Sequence, residues 1–414
     1  MITRLWICWI GFMVVVGPAM AALDNEPMFI VETMPGREDG HIVVLADFSI
    51  PFATDGRSHI IDTDSGNYLG VVNTGFWHSG VMLPRNRDII VSPETYFSRG
   101  TRGERTDVVV FYDAKTLQPL GETVIPPKRF TAVKMQGTSA LTDDGRFAVV
   151  LNHTPAASVS VVDLETRQFV AEIDIPGCFN IYAIGERTIN AICGNGGFMR
   201  IELDENGNEK KITRGDSLFD AMADPVTVSG VRVGDTWYHL SIGGYLHGFQ
   251  STDIDTRQIA HMSLFTDQER DDDWRISGFQ HLAIHRESGR VFVLVHRGGP
   301  ETFEDPGTHV WIYDLESGEK IEERELERMA LSIEVSQDKK AQMYALAADL
   351  HISKLAQFYV YLTQGEHTLE TIMDFVLDVY DAGDGTLQRS IQQVGKFPTY
   401  IQVWPATGAK PHGS

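Results

Sequence analysis

After Ala21 this sequence of 414 residues has no apolar run approaching the roughly 20 residues a membrane-spanning helix needs, which excludes a transmembrane body for the rest of the chain. Positive charge is scarce: 35 Lys and Arg stand against 57 Asp and Glu, a formal net charge of −22 at pH 7. Such a surface repels nucleic acid and anionic lipid, and it favours cationic ligands or basic partner surfaces. Cysteine is scarcer still, three in all, with no CxxC pair and no Cys/His cluster of the kind that holds zinc. Missing too are a GxSxG elbow, an HExxH helix, a P-loop and a GxGxxG following a strand. The sequence carries no catalytic constellation of its own.

What is present begins with the first residues. Met1–Ala21 combines a charged head (Arg4), an apolar run from Leu5 to Val16 and the small-x-small stretch Ala19-Met20-Ala21. This is the pattern of a secretory signal peptide cleaved after Ala21. The mature chain is therefore expected to be exported, to the periplasm in a bacterium, and its formal charge becomes −23 because Arg4 is lost. Cys8 leaves with the leader, and Cys178 and Cys193 remain as an even pair in an oxidising compartment. Their separation of 15 residues closes a loop worth about 3 kcal/mol in the chain-entropy account. A disulfide is expected, with a metal site or reactive thiols as the alternatives.

Residues 22–40 read as a weakly periodic arm. From His41 to Pro405 the chain is a procession of short strands, and 406–414 is a tail. Asp144-Gly145, Asn206-Gly207, Ser317-Gly318 and Asp384-Gly385 mark reversals between strands. A repeat shows at aspartates that end a β-branched or aromatic run: Asp62, Asp113, Asp163, Asp204, Asp255, Asp314 and Asp381, spaced 51, 50, 41, 51, 59 and 67 residues apart. Seven copies of about 40–50 residues, each with several strands, predict an all-β fold, a seven-bladed β-propeller. Ring closure is expected from strands at both chain ends, with Thr399–Pro405 as the C-terminal contributor. Each aspartate is expected to tether the turn between two outer strands by accepting backbone N–H bonds two residues on. An insertion at about 349–376 lengthens the last repeat.

Several local clusters invite chemistry and are better read as structure. The glycines of CGNGG (Cys193–Gly197) lead into a strand, so a turn is expected there rather than a phosphate cradle. His281 and His285 share one side of a predicted strand without a third ligand. Asp271–Asp273 lacks the spaced carboxylates of a calcium loop. One basic run stands out in this acidic chain: Arg99, Arg102 and Arg105 recur at every third position. They read either as partner-facing or as ordinary loop ion pairs.

The stretch FSRGTRGERTDVVVFYD (Phe97–Asp113), followed by IPPKRF (Ile125–Phe130), resembles the heavy subunit of quinoprotein amine dehydrogenases, the methylamine and aromatic amine dehydrogenase family. The likeness continues through HTPAASVSVVDLE (His153–Glu165), PGC…ICGNGG (Pro176–Gly197), DDWRISGFQHLAIHRESGRVFVLVH (Asp272–His296), VWIYDLESG (Val310–Gly318) and the terminal IQVWP. It covers nearly the whole mature chain.

The resemblance implies a seven-bladed propeller that assembles as two heavy and two light chains. It implies no cofactor on this chain; the tryptophan tryptophylquinone and the catalytic base belong to the light chain. The reaction implied is oxidative deamination of a primary amine to aldehyde and ammonia. Electrons then pass to a small blue copper protein of the amicyanin or azurin kind. Phe52, ten residues before Asp62, matches a phenylalanine that lines the substrate channel in the family. An apolar ring there sorts amines by size without doing chemistry. The short arm, PPKR and IQVWP lean toward the aromatic amine branch, while the 349–376 insertion matches neither branch. Two other classes compete: a stand-alone periplasmic binding or scaffold propeller, and a propeller hydrolase such as a lactonase with metal ligands drawn from several blades.

Overall fold

In the computed structural model the described residues are 33–36, 41–47, 54–77, 80–131, 136–350 and 373–406. The chain divides into Met1–Thr33 and Met34–Ser414, and the described residues lie, Thr33 apart, in the second unit. The signal peptide, Phe52 and most of the arm and the insertion fall outside them.

The all-β reading holds: among the described residues there are 27 strands, one five-residue α-helix (Asp267–Asp271) and one 3₁₀ turn. Hydrogen bonding groups the strands into antiparallel sheets whose cores pack on one another in chain order, a β-propeller. Within a repeat the middle strands are covered on both faces, which is why they read as unbroken apolar runs; Phe147–Asn152 and Ser158–Asp163 are buried at every position. The outermost strands alternate or turn polar, as in Thr256–Ser263 and Glu209–Arg214, and so present charged edges to solvent.

The expected seven separate blades are corrected. Five sheets carry four or more strands, and Ile89–Phe97, Arg105–Asp113 and Pro119–Ile125 form a three-stranded sixth. The cause of the merger is one strand, Lys320–Val335, which runs for 16 residues without a turn. Its first part pairs with Gly307–Asp314 (Trp311 opposite Glu323), and its last part pairs with Gln342–Leu350 (Ile333 opposite Ala345). The repeats ending in Asp314 and Asp381 thereby share one eight-stranded sheet. No glycine or proline interrupts Lys320–Val335, so nothing in its residues forces the break that the spacing suggests.

Closure is as expected. Pro398–Val403 pairs antiparallel with Ile42–Asp47, so the last strand of the chain completes the first sheet. Behind it Val43, Leu45 and Ile401 pack with Tyr344, Leu346, Phe375 and Leu377 of the eight-stranded sheet.

Six of the seven aspartates hold turns as expected. Asp62, Asp113, Asp163, Asp204, Asp314 and Asp381 each accept a backbone N–H from two to four residues ahead through Oδ1. Asp255 differs: its N–H donates to Thr252 Oγ1 at 3.0 Å, and it precedes its strand rather than ending one.

These turns lie at one end of the strands, and contacts link them from sheet to sheet. Gln342 Nε2 donates to Asp64 at 2.7 Å, His41 sits between Asp64 and Asp338, and Arg187 donates to Asp144 at 2.8 Å. The connections that precede the aspartate-ended strands, residues 48–55, 98–104 and 351–372, therefore belong to the opposite end. Asp349 and Leu350 pair with Asp374 and Met373, so the ends of the expected insertion are strand, and residues 351–372 lie outside the described set.

Candidate functional site

The end that carries loop 48–55 gathers the predicted site residues. Phe52 is outside the described residues, but the base of its loop is firmly held. Asp47, fully buried, accepts from the backbone N–H of Lys396 (2.6 Å) and Phe397 (3.0 Å) and lies 3.0 Å from His59 Nε2. A carboxylate only accepts, so Nε2 carries the imidazole proton and Nδ1 accepts from the Tyr68 hydroxyl at 2.7 Å. One buried anion thus ties the start of the Phe52 loop to the closing segment of the chain.

The three arginines separate in role. Arg105 forms a two-pronged pair with the buried Asp107, both contacts 2.9 Å, and donates to the Arg129 carbonyl at 2.6 Å. Asp107 also accepts from Thr95 Oγ1 (2.8 Å) and from the Arg129 N–H (2.7 Å), which satisfies a carboxylate that would otherwise be costly to bury. Arg129 is buried in turn, donating to Thr95 Oγ1 and to the Phe76 carbonyl. Burial pushes its guanidinium down to about 10, against the opposing pull of Asp107. Arg105 is therefore part of the frame. Arg99 and Arg102 sit on the exposed tip, where the Arg99 N–H donates to the Arg102 carbonyl at 3.0 Å. The tip needs glycine at 103, with φ at 100° and space so tight that a Cβ would stand 2.4 Å from Ser98 Oγ.

Half-buried aromatic rings surround this frame. Phe76 stacks on Trp77 at 5.6 Å and meets Phe97 edge-on at 5.3 Å. Farther along, Phe130, His153 and Phe179 form an edge-to-face trio with centroids 4.6 to 5.7 Å apart. Trp77 holds a φ of 46°, a left-handed conformation uncommon for a bulky residue. Sequence reasoning missed these rings as a group, because Phe76, Phe97 and Phe130 come from separate segments. The visible signal was the pair Phe76-Trp77 in a glycine-flanked connection.

Beneath the rings lies a carboxyl group that the sequence did not flag. Glu94 is fully buried and accepts from the hydroxyls of Tyr96 and, at 3.0 Å, Tyr112. Burial raises it to about 7, with the hydroxyl contacts and Arg129 opposing. Glu94, Asp107 and Arg129 are engaged within the frame, so this end offers rings and two exposed cations, a surface suited to docking and shaping.

The remaining predicted clusters resolve as structure. Cys178 and Cys193 are disulfide-bonded, directly opposite each other on adjacent strands. Gly196 closes the CGNGG turn, where a Cβ would stand 1.9 Å from the Phe219 carbonyl oxygen. His281 bonds to Thr227 Oγ1 (2.8 Å), and His285 to Ser288 Oγ (2.8 Å) and the Asp338 carbonyl (3.0 Å). Asp271–Asp273 ends and caps the short helix, whose start carries a Thr266/Glu269 capping box. Among the described residues no group of three His, Cys, Asp or Glu is placed to hold a metal ion. At the opposite end, a cavity of about 1450 Å³ is lined by Arg85, Asp143, Arg232, Arg286, Glu334 and Tyr400 among others.

Fold and site together define a β-propeller that holds an apolar, aromatic end on a buried ionic frame. The chain belongs to the methylamine dehydrogenase heavy chain family, whose profile matches residues 39–358. It is 28% identical over 380 residues to the methylamine dehydrogenase heavy chain of Paracoccus versutus, covering 91% of this chain and 82% of that one. To the heavy chain of Methylophilus methylotrophus it is 25% identical over 348 residues, 83% and 79% of the two chains. Among solved structures, a dihydro-heme d1 dehydrogenase superposes with a TM-score of 0.55 at 13% identity, covering 93% of this chain and 78% of that one. A putative 6-phosphogluconolactonase from Bacteroides fragilis also gives 0.55, at 10% identity and coverages of 91% and 99%. At these identities the two structures share the fold alone.

Proposed function

We propose that this chain is the large, non-catalytic subunit of a quinoprotein amine dehydrogenase exported to the periplasm. The observation that carries the reading is membership of the heavy chain family across residues 39–358. On this reading a light chain bearing tryptophan tryptophylquinone docks on the end that carries loop 48–55, two heavy and two light chains assemble, and a small blue copper protein takes the electrons. Primary amines are deaminated to aldehyde and ammonia on the light chain. The propeller's part is to hold that chain and to wall the channel by which the amine arrives.

Several features support the division of labour. Half-buried rings at Phe76, Trp77, Phe97, Phe130 and Phe179 supply the apolar contact area that docking surfaces favour. Arg99 and Arg102 project beside them, able to engage carboxylates on a partner. Phe52 is assigned to the channel wall, in a loop whose base Asp47 fixes. The aromatic amine preference rests on the short arm and on PPKR and IQVWP, and cleavage after Ala21 places the mature protein in the periplasm.

The test is assembly and selectivity in one experiment. The chain is expressed with the small exported chain encoded beside it, and both are recovered through a tag on this one. Replacing Phe52→Ala is expected to leave the complex intact and to change the order in which amines of increasing bulk are oxidised. An unchanged order removes Phe52 from the channel. If no light chain exists to co-purify, the stand-alone scaffold reading takes over.

A further inference from the structure

The cavity at the aspartate-turn end has a charge pattern that docking of a light chain at the other end does not use. Its wall takes residues from the inner strands and turns of several sheets. Arg85 precedes Ile89–Phe97, Asp143 follows Ser139–Leu141, Arg232 lies on Val226–Val233, Arg286 follows Leu282–His285, and Glu334 lies on Lys320–Val335.

Arg232 is saturated. Its two Nη atoms take both oxygens of Asp143 at 2.7 and 2.9 Å, Nη1 also reaches the Ala183 carbonyl at 3.1 Å, and Nε donates to Gly234 at 2.8 Å. Asp143 is thereby engaged with one cation. Glu334 accepts from the Val335 N–H and from Gln280 Nε2, each at 2.9 Å. Burial raises it to about 7, so at neutral pH it is charged on only part of the molecules. Arg286 donates through Nε to the Arg232 carbonyl at 2.9 Å.

Burial is the chief cause that lowers both Arg286, to about 10, and Arg85; repulsion from Arg232 lowers both further, and Arg85 adds to the repulsion on Arg286. Three guanidinium groups thus stand within electrostatic reach of one another, facing one committed carboxylate and one that is partly neutral. The other charged groups on the wall are His41, clamped between Asp64 and Asp338, and Lys340 at the rim. Holding like charges together in a shielded cavity costs free energy, in a protein whose net charge is −22 and whose surface could have supplied more carboxylates. A bound anion offsets that cost.

We propose that this cavity is a binding site for a small oxyanion, a phosphate or carboxylate group received between Arg85 and Arg286. Guanidinium forks match the paired oxygens of either group and accept no proton from it, which is why arginine suits such sites better than lysine. The cavity has room for a larger molecule carrying the anionic group. The site lies on this chain alone and does not depend on the amine-oxidising role.

Thermal unfolding of the full chain, with whatever partner co-purifies, tests it in inorganic phosphate, in a short dicarboxylate and in chloride at equal ionic strength. One of the two oxyanions is expected to raise the midpoint by about 2 °C or more over chloride, saturably. The stronger of the two identifies the carrier of the anionic group. Arg286→Gln is expected to weaken the response at least about tenfold, since charged hydrogen bonds are lost, and Arg286→Lys to keep part of it. Should Arg286→Gln fail to fold, Arg85→Gln serves the same purpose. Equal midpoints in all three salts, or a response unchanged in the glutamine variant, would overturn the proposal.

Discussion

At the scale of single residues, the sequence could name side chains but not their surroundings. Glu94 is one carboxylate among 57 acidic residues in the sequence, and only the fold buries it beneath Tyr96 and Tyr112. Its pKa is raised from 4.5 to about 7, so the folded protein binds the proton more tightly than the unfolded chain does. The stability this contributes is full below pH 4.5 and is lost as pH rises through about 7, by about 3 kcal/mol in all. Glu94→Gln does not titrate. Its stability relative to the parent is therefore expected to improve between pH 5 and pH 8, measured by denaturant unfolding at each pH. A difference that stays constant with pH would show that Glu94 is ionised throughout. Arg99, Arg102 and Arg105 make the same point: their even spacing suggested one role, whereas burial of Asp107 assigns Arg105 to the frame and leaves the other two at the exposed tip.

At the scale of elements, the aspartate turns can be weighed against each other. Asp163 is buried, accepts two backbone N–H bonds and pairs with Arg146 at 3.0 Å. Asp255 is exposed to solvent and pairs with Thr252 and Arg257. Asp163→Ala is expected to cost about 2–3 kcal/mol and Asp255→Ala about 1 or less, because buried donors left without a partner carry the penalty. Equal losses in equilibrium unfolding would contradict this account of the repeat. What was legible in the sequence follows the same division. Strand-ending aspartates and glycine turns are local chemistry and could be read directly; so could the cysteine pair, which falls opposite on neighbouring strands. The merger of two repeats through Lys320–Val335 could not, since whether a strand continues depends on partners 20 or more residues away in space and sequence. The aromatic end was hidden for a related reason. Its rings come from connections that only the packing of neighbouring sheets brings together.

At the scale of the whole molecule, the two ends of the propeller carry opposite kinds of surface. One presents rings and two exposed arginines over a buried ionic frame, and the other closes around a cavity rich in guanidinium groups. The family to which the chain belongs gives the first end its meaning, as the place where a partner with the chemistry is held. The account's central claim is that amine oxidation needs this propeller and a quinone-bearing light chain together. The most direct measurement is the visible absorbance of the co-purified complex before and after a primary amine is added without oxygen or other acceptor. The account predicts a quinone band that bleaches with the amine and returns when a blue copper protein is supplied. A co-purified complex without such a band, or with one that no primary amine bleaches, would contradict it.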